Sequence, residues 1–390
     1  MTRRLSTILA LLLLALFSNA QSNPPGRVVD LTSADGTKLK GTFFSPAKPG
    51  PGVLLLHQCN KDRKIWDGLA QQLAASGVNV LTFDLRNFGE SEGEPSDKLT
   101  PQEAQAAAQK WPADVDAAFE YLVSQPGVKR DTIGVGGASC GLNNSVQAAR
   151  RHPEVKSLVL LAGSTNFDGR NFLRDSNLPV LYGFADDDEY PSSLLTTEWL
   201  YALTPNPGKK LVRYRDGGHG AEIFKVHPEF EDIIKDWFVI TLIKTPGRAP
   251  LSKKNVAIPK EVEVLNLLDQ PGGTAKISEM LTVARKKDPK ATLFPEEVVN
   301  VIGYEHMQAG DNKGAVAILK LNAEAYPNST NVFDSLSDAY LADGQKDLAL
   351  ASVKRALEML KTDTTTPQRL RDGIKASCET KLKELGEKPE

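Results

Sequence analysis

The chain has 390 residues, too many for one ordinary domain, with 41% hydrophobic and 25% charged residues. Its formal net charge of −2 gives no electrostatic basis for holding nucleic acid or an anionic membrane, so neither is expected as a partner. Three cysteines, Cys59, Cys140 and Cys378, lack metal-ligand spacing and are too few for a disulfide framework, so neither a metal nor a cofactor is expected.

The first element is a leader. Met1-Thr-Arg-Arg4 is basic, residues 5–17 are almost unbrokenly apolar, and Ser18-Asn19-Ala20 are small, which predicts a signal peptide over 1–20 cut near Ala20. The run is shorter than the ~20 residues a bilayer span needs. The mature chain is therefore expected to be exported, periplasmic or secreted, with no stable membrane span.

Residues 21–243 form the first predicted domain, in which short apolar runs alternate with helical patterns. Strands over 28–31 and 39–44 flank the turn pair Asp35-Gly36. A buried strand over 52–56, an amphipathic helix over 62–75 and a strand over 78–83 follow. Residues 101–124 read as largely helical despite Pro112. Next come an apolar run over 132–136, a helical pattern over 142–149, strands at 157–162, 179–182 and 210–214, and a helix over 228–243. Strands separated by helices predict an α/β fold with a doubly wound, mostly parallel sheet, the opening hairpin adding antiparallel strands at one edge.

Residues 244–258 are rich in Pro and Lys and aperiodic, a linker. Residues 259–390 form a second, all-helical domain. Gly310 and Gly344, Ala315 and Ala349, and Ala317 and Ala351 recur at a constant offset of 34 residues, the tetratricopeptide period. Residues 261–286 look like a degenerate earlier helix pair. So short an array buries little core alone, and it is expected to pack on the first domain or on another subunit. A protein partner or self-association through these helices is expected.

Chemistry concentrates at Gly137-Ala138-Ser139-Cys140-Gly141, where strand, Gly-x-Ser-x-Gly turn and helix make a nucleophile elbow that exposes a serine hydroxyl above a sheet. The glycines are needed because backbones approach too closely there for a Cβ. Downstream, the strand from Pro179 runs into Asp186-Asp-Asp188, of which Asp187 or Asp188 can orient a histidine, the register favouring Asp188; a solvated or cation-binding acidic loop is the alternative. His219 stands in a glycine-rich turn after the last strand.

The order Ser139, Asp188, His219 resembles that of α/β-hydrolases, and the chain is similar to their dienelactone-hydrolase-like branch. His57-Gln-Cys-Asn60 sits where that family places its oxyanion loop. Asp84-Leu-Arg-Asn-Phe-Gly-Glu-Ser91 is similar to its Asp-x-Arg-Gly-x-Gly-x-Ser, with Asn87 in place of a glycine. The resemblance covers about residues 27–243 and implies a serine hydrolase acting on carboxylic esters, thioesters or lactones through an acyl-enzyme. His219 would be the base and Asp188 its orienter, with the backbone N–H groups of Cys59 and Cys140 as the oxyanion hole.

Dienelactone hydrolases proper use a cysteine, but Cys140 as nucleophile would place Leu142 at a position that wants a small residue, so Ser139 is preferred. Cys59 and Cys140 should lie close together, and whether they bridge or stay as two thiols is left open. Only residues 163–178 separate two strands where lipases often insert a cap, which predicts an uncapped, accessible site. A reading from a different class makes the helices the working part, a binding or assembly module on a vestigial hydrolase scaffold.

Overall fold

The computed structural model describes residues 25–46, 48–251 and 257–387. The predicted leader over 1–20 and part of the predicted linker lie outside them. Among the described residues no helix is long and apolar enough to cross a membrane.

Eight strands build one sheet: β1 Arg27–Thr32, β2 Lys38–Phe44, β3 Gly50–Leu56, β4 Asn79–Phe83, β5 Val128–Ala138, β6 Val155–Leu161, β7 Val180–Ala185 and β8 Lys210–Tyr214. Their spatial order is β1-β2-β4-β3-β5-β6-β7-β8. The β1–β2 and β2–β4 pairs are antiparallel and the rest parallel, the doubly wound sheet with an antiparallel edge that the sequence predicts.

The central strands are apolar on both faces because helices cover both. Leu54 and Leu56 of β3 pack with α3 (Trp111–Ser124), α4 (Cys140–Arg151), α5 (Phe167–Asp175) and α6 (Pro191–Leu203). Val53 and Leu55, one residue out of phase, pack with α1 (Asp67–Ala75) and α7 (Glu229–Phe238). The helical stretch predicted over 101–124 is two helices, α2 (Pro101–Ala108) and α3. Pro112 sits in the first turn of α3, where its missing N–H costs nothing. Helices α5 and α6 were not predicted. Asn166 starts α5 by accepting from Gly169 N at 3.0 Å; this helix is amphipathic but only 9 residues long and mostly polar, whereas α6 is nearly uniform in polarity around its axis and shows no strong periodic signal.

The C-terminal part is a stack of helices: α8 Lys260–Leu268, α9 Gly273–Lys287, α10 Glu296–Gln308, α11 Asn312–Ala325, α12 Thr330–Ala342, α13 Lys346–Leu360 and α14 Gln368–Glu384. Its 34-residue offset is visible in the backbone. Gly310 N donates to Met307 O and Asp311 N to His306 O, and Gly344 N donates to Leu341 O and Gln345 N to Tyr340 O, one pair for each turn. Gly310 and Gly344 take φ of 82° and 75°, the left-handed conformation that closes a helix most cheaply with glycine.

The array docks on the sheet domain through α5 and α6. Trp199 joins an apolar cluster with Val262, Leu265, Ile277 and Ile302, and its indole N–H donates to Asn266 Oδ1 at 2.8 Å. Beside it Arg170, 1% exposed, donates to both oxygens of Asp269 at 2.8 and 3.0 Å and to Thr165 O at 2.9 Å, and pairs with Glu305. Burial alone would raise the Asp269 carboxyl, but the bonds from His306 and Arg170 outweigh it and hold Asp269 well below the usual carboxylate range. Its pairing therefore contributes stability above the ordinary carboxylate pKa of about 4 and loses it as the pH falls below that value. Arg170→Met should lower stability by about 3–5 kcal/mol, because it removes the ion-pair partner of Glu305 and the two-pronged bond to buried Asp269, which keeps only Arg174 and His306. Urea unfolding at neutral pH checks this, and a loss below about 1 kcal/mol would contradict it.

Candidate active site

The elbow follows from β5 ending against α4. Ser139 takes φ 54° and ψ −121°, a strained backbone for a side-chain-bearing residue, held by Ser139 N donating to Leu161 O at 2.9 Å. A Cβ on Gly137 would stand 2.2 Å from Gly141 O, and one on Gly141 would stand 2.4 Å from Leu56 O. Only glycine fits either place, which is the physical content of the Gly-x-Ser-x-Gly spacing.

His219 and Asp188 meet as a buried pair. Asp188 Oδ2 lies 2.8 Å from His219 Nδ1, which as the protonated ring nitrogen donates to the carboxylate. Asp188 also accepts from Ser193 Oγ at 2.6 Å and from Tyr190 N at 2.8 Å. Burial would raise its carboxyl, but these bonds, His219 first, hold it below its ordinary value, which favours the ionised carboxylate facing His219 Nδ1. The neighbouring carboxylates are engaged elsewhere. Asp187 accepts from Gly217 N and Gly218 N at 3.3 and 2.9 Å, shaping the histidine turn, and Asp186 pairs with Arg213. Among the described residues no cluster of three or more His, Cys, Asp or Glu is arranged to hold a metal ion.

Cys59 and Cys140 are joined by a disulfide, their Cα atoms 5.8 Å apart. Of the two arrangements left open by the sequence, the structure has the bridge. Cys140 is the first residue of α4, which has no side-chain cap, so its N–H is one of the helix's unsatisfied donors and a ready anion site. The loop bearing Cys59 is fastened from two sides. His57, fully buried, accepts from Leu85 N at 3.1 Å on Nε2 and so donates from Nδ1 to Gln58 O at 2.9 Å. Burial pushes its pKa down, keeping it neutral. Gln58 Oε1 accepts from Ala221 N at 2.9 Å while its Nε2 donates to His219 O at 3.3 Å, tying this loop to the histidine turn. Gln58 and Ser193 were missed as site residues. Gln58 lies within the His57–Asn60 loop, whereas Ser193 carries no local signal without α6.

The Asp84–Ser91 motif braces the site from outside it. Asp84, buried, accepts from Arg63 N at 2.7 Å and from Glu90 N at 2.9 Å, and pairs with the Arg63 guanidinium. Asn87, standing in for a glycine, adopts φ 71°, a conformation asparagine tolerates better than most residues. The other histidines, His152, His227 and His306, each contact an aspartate away from Ser139.

Ser139, Cys140 and His219 open onto one cleft of about 640 Å³. Its far wall is α10, with Val298, Val301 and Ile302. No cap occupies residues 163–178, which form a loop and α5, yet the site is less open than the sequence predicts, because the C-terminal helices supply a wall. A larger cleft of about 970 Å³, with Ile65, Phe88, Leu99 and Trp111, adjoins Cys59 but includes neither Ser139 nor His219.

Residues 51–188 match the sequence profile of the alpha/beta hydrolase fold, and the N-terminal domain has that fold. The chain is 31% identical over 134 residues to the thiohydrolase aneE of Aspergillus aculeatus, covering 34% of this chain and 39% of that one. It is 33% identical over 145 residues to the uncharacterized protein Rv2307c of Mycobacterium tuberculosis, covering 37% and 47%. The chain thus spans less than half the length of these curated relatives. Similar solved structures include the esterase Pf2001 of Pyrococcus furiosus, at 20% identity and TM-score 0.44 over 56% of this chain and 94% of that one. Another is a dienelactone hydrolase of Anabaena variabilis, at 21% identity and TM-score 0.44 over 56% and 98%. At such identities the likeness concerns the fold alone.

With Cys59 and Cys140 bridged and Cys378 buried, its thiol pushed up to about 12 by burial, protein purified without reductant should show no reactive thiol when native. After denaturation it should show one, by thiol titration. Three thiols on denaturation would contradict the bridge.

Proposed function

We propose that the protein is an exported serine hydrolase that cleaves carboxylic esters or thioesters through Ser139, His219 and Asp188. The strongest support is one observation: Ser139, strained onto the elbow, shares a cleft with His219, whose Nδ1 is held at 2.8 Å by Asp188. With Nδ1 so engaged, Nε2 is the ring nitrogen left to accept the Ser139 proton as Oγ attacks the carbonyl carbon. The charge that develops on the carbonyl oxygen is received by the N–H groups of Cys59 and Cys140, which the disulfide keeps adjacent. As the tetrahedral species collapses, His219 returns the proton to the leaving alkoxide or thiolate. Water then attacks acyl-Ser139 with His219 again as base, and as the acyl C–O bond breaks His219 returns that proton to Ser139 Oγ, releasing the carboxylic acid. The thiohydrolase relative favours thioesters among the substrates. The bridge itself suits an oxidising compartment, in keeping with the leader predicted over 1–20.

Ser139→Ala should abolish covalent labelling by a fluorophosphonate and hydrolysis of p-nitrophenyl esters, and Asp188→Asn should lower turnover about ten-thousandfold. Labelling that survives Ser139→Ala, or greater damage from Asp187→Asn than from Asp188→Asn, would refute the assignment.

A further inference from the structure

We propose that α10 is the acyl-specificity wall of this hydrolase, and that the cleft between α10 and Ser139 accepts a neutral, apolar acyl chain of medium length. The proposal rests on Ser139 being the nucleophile and goes beyond it by assigning a substrate-contacting task to the C-terminal helices. Residues from both parts of the chain line the cleft, so its shape exists only when the array is docked. Docking is held by the Arg170–Asp269–Glu305 ion cluster, with Arg170 at 1% exposure, so α10 is a fixed wall and not a mobile lid.

The lining chemistry selects the occupant. Tyr190 and Val301 are large apolar side chains left 51% and 53% exposed, and both line this one cleft. Tyr190 also packs edge-on against His219, ring centroids 4.7 Å apart. An acyl chain attached to Ser139 would run past Tyr190 and cover Val301, with Val298 and Ile302 buried behind. Exposed apolar groups gathered at a catalytic cleft are the usual mark of a binding surface. Charge excludes the alternatives. The Arg170 guanidinium is already neutralised by Asp269 and Glu305, and Glu297 stands exposed on α10. A substrate carboxylate or phosphate would find no uncommitted cation there and one repelling carboxylate.

The test uses the full chain and p-nitrophenyl acetate, butyrate and octanoate. In the native protein kcat/KM should rise with chain length, by about two- to fourfold per methylene until the cleft is filled. Val301→Asp, on an exposed position that folding does not need, should lower kcat/KM for octanoate at least tenfold while leaving acetate within twofold. Val283→Asp, equally exposed on α9 and outside the cleft, should leave both unchanged. An octanoate-to-acetate ratio unaltered by Val301→Asp, or an equal loss on both esters, would overturn the assignment of α10. Acetate turnover undiminished in Ser139→Ala would instead remove the catalytic reading, and the acyl wall with it.

Discussion

The Arg170 guanidinium, buried where α5 meets the C-terminal helices, is the interaction on which the geometry of the cleft depends. Removing such a group from water costs several kcal/mol, which only close, well-directed partners offset. Asp269 supplies both carboxylate oxygens, and Arg174 and His306 share that same carboxylate. Separating the array from the sheet would break these pairs and expose the Trp199 apolar cluster to water. Two parts of the chain with different periodicities therefore behave as one body around the cleft. The wall opposite Ser139 is held to the sheet domain by this ion cluster and the Trp199 contacts.

A second constraint acts at the other side of Ser139. The disulfide spans 81 residues and joins the loop after β3 to the first residue of α4. By the chain-entropy argument, closing a loop of that length disfavours the unfolded chain by about 4.5 kcal/mol. Its location matters more than its magnitude. If the Cys59 and Cys140 N–H groups converge on one oxygen as proposed, they gain from being held together before substrate arrives, since preorganised dipoles need no rearrangement as charge develops. Gln58, spanning the oxyanion loop and the histidine turn, couples the same loop to the proposed base. The proposed nucleophile, base and oxyanion donors are thus linked by short-range contacts independent of the array.

Much of this was legible in the sequence, for reasons that can be named. The sheet was legible because both faces of its central strands are buried, giving runs such as Gly52-Val-Leu-Leu-Leu56 that few other environments tolerate. The elbow was legible because its backbone leaves no space for a Cβ at Gly137 and Gly141, which restricts residue choice locally. The acidic partner came down to Asp188 against Asp187 on register alone, and the structure pairs His219 with Asp188 while Asp187 shapes the turn. What was not legible depends on contacts between distant segments. Trp199 stands on α6, whose polarity is nearly uniform around its axis, and Arg170 on α5 is a charged residue whose burial shows only once the array that covers it is known. Nothing local to Val301 marks it as facing a cleft whose serine lies over 160 positions earlier in the chain. The disulfide is intermediate: proximity followed from the proposed roles of Cys59 and Cys140, but bonding geometry did not.

The most direct single measurement is a crystal structure of the protein after reaction with an octyl phosphonate ester. The result expected is phosphorus bonded to Ser139 Oγ, its charged oxygen within hydrogen-bond distance of the Cys59 and Cys140 nitrogens, and the octyl chain lying against Tyr190 and Val301. An adduct on any other residue, or an octyl chain directed past Cys59 into the cleft at Trp111, would contradict it.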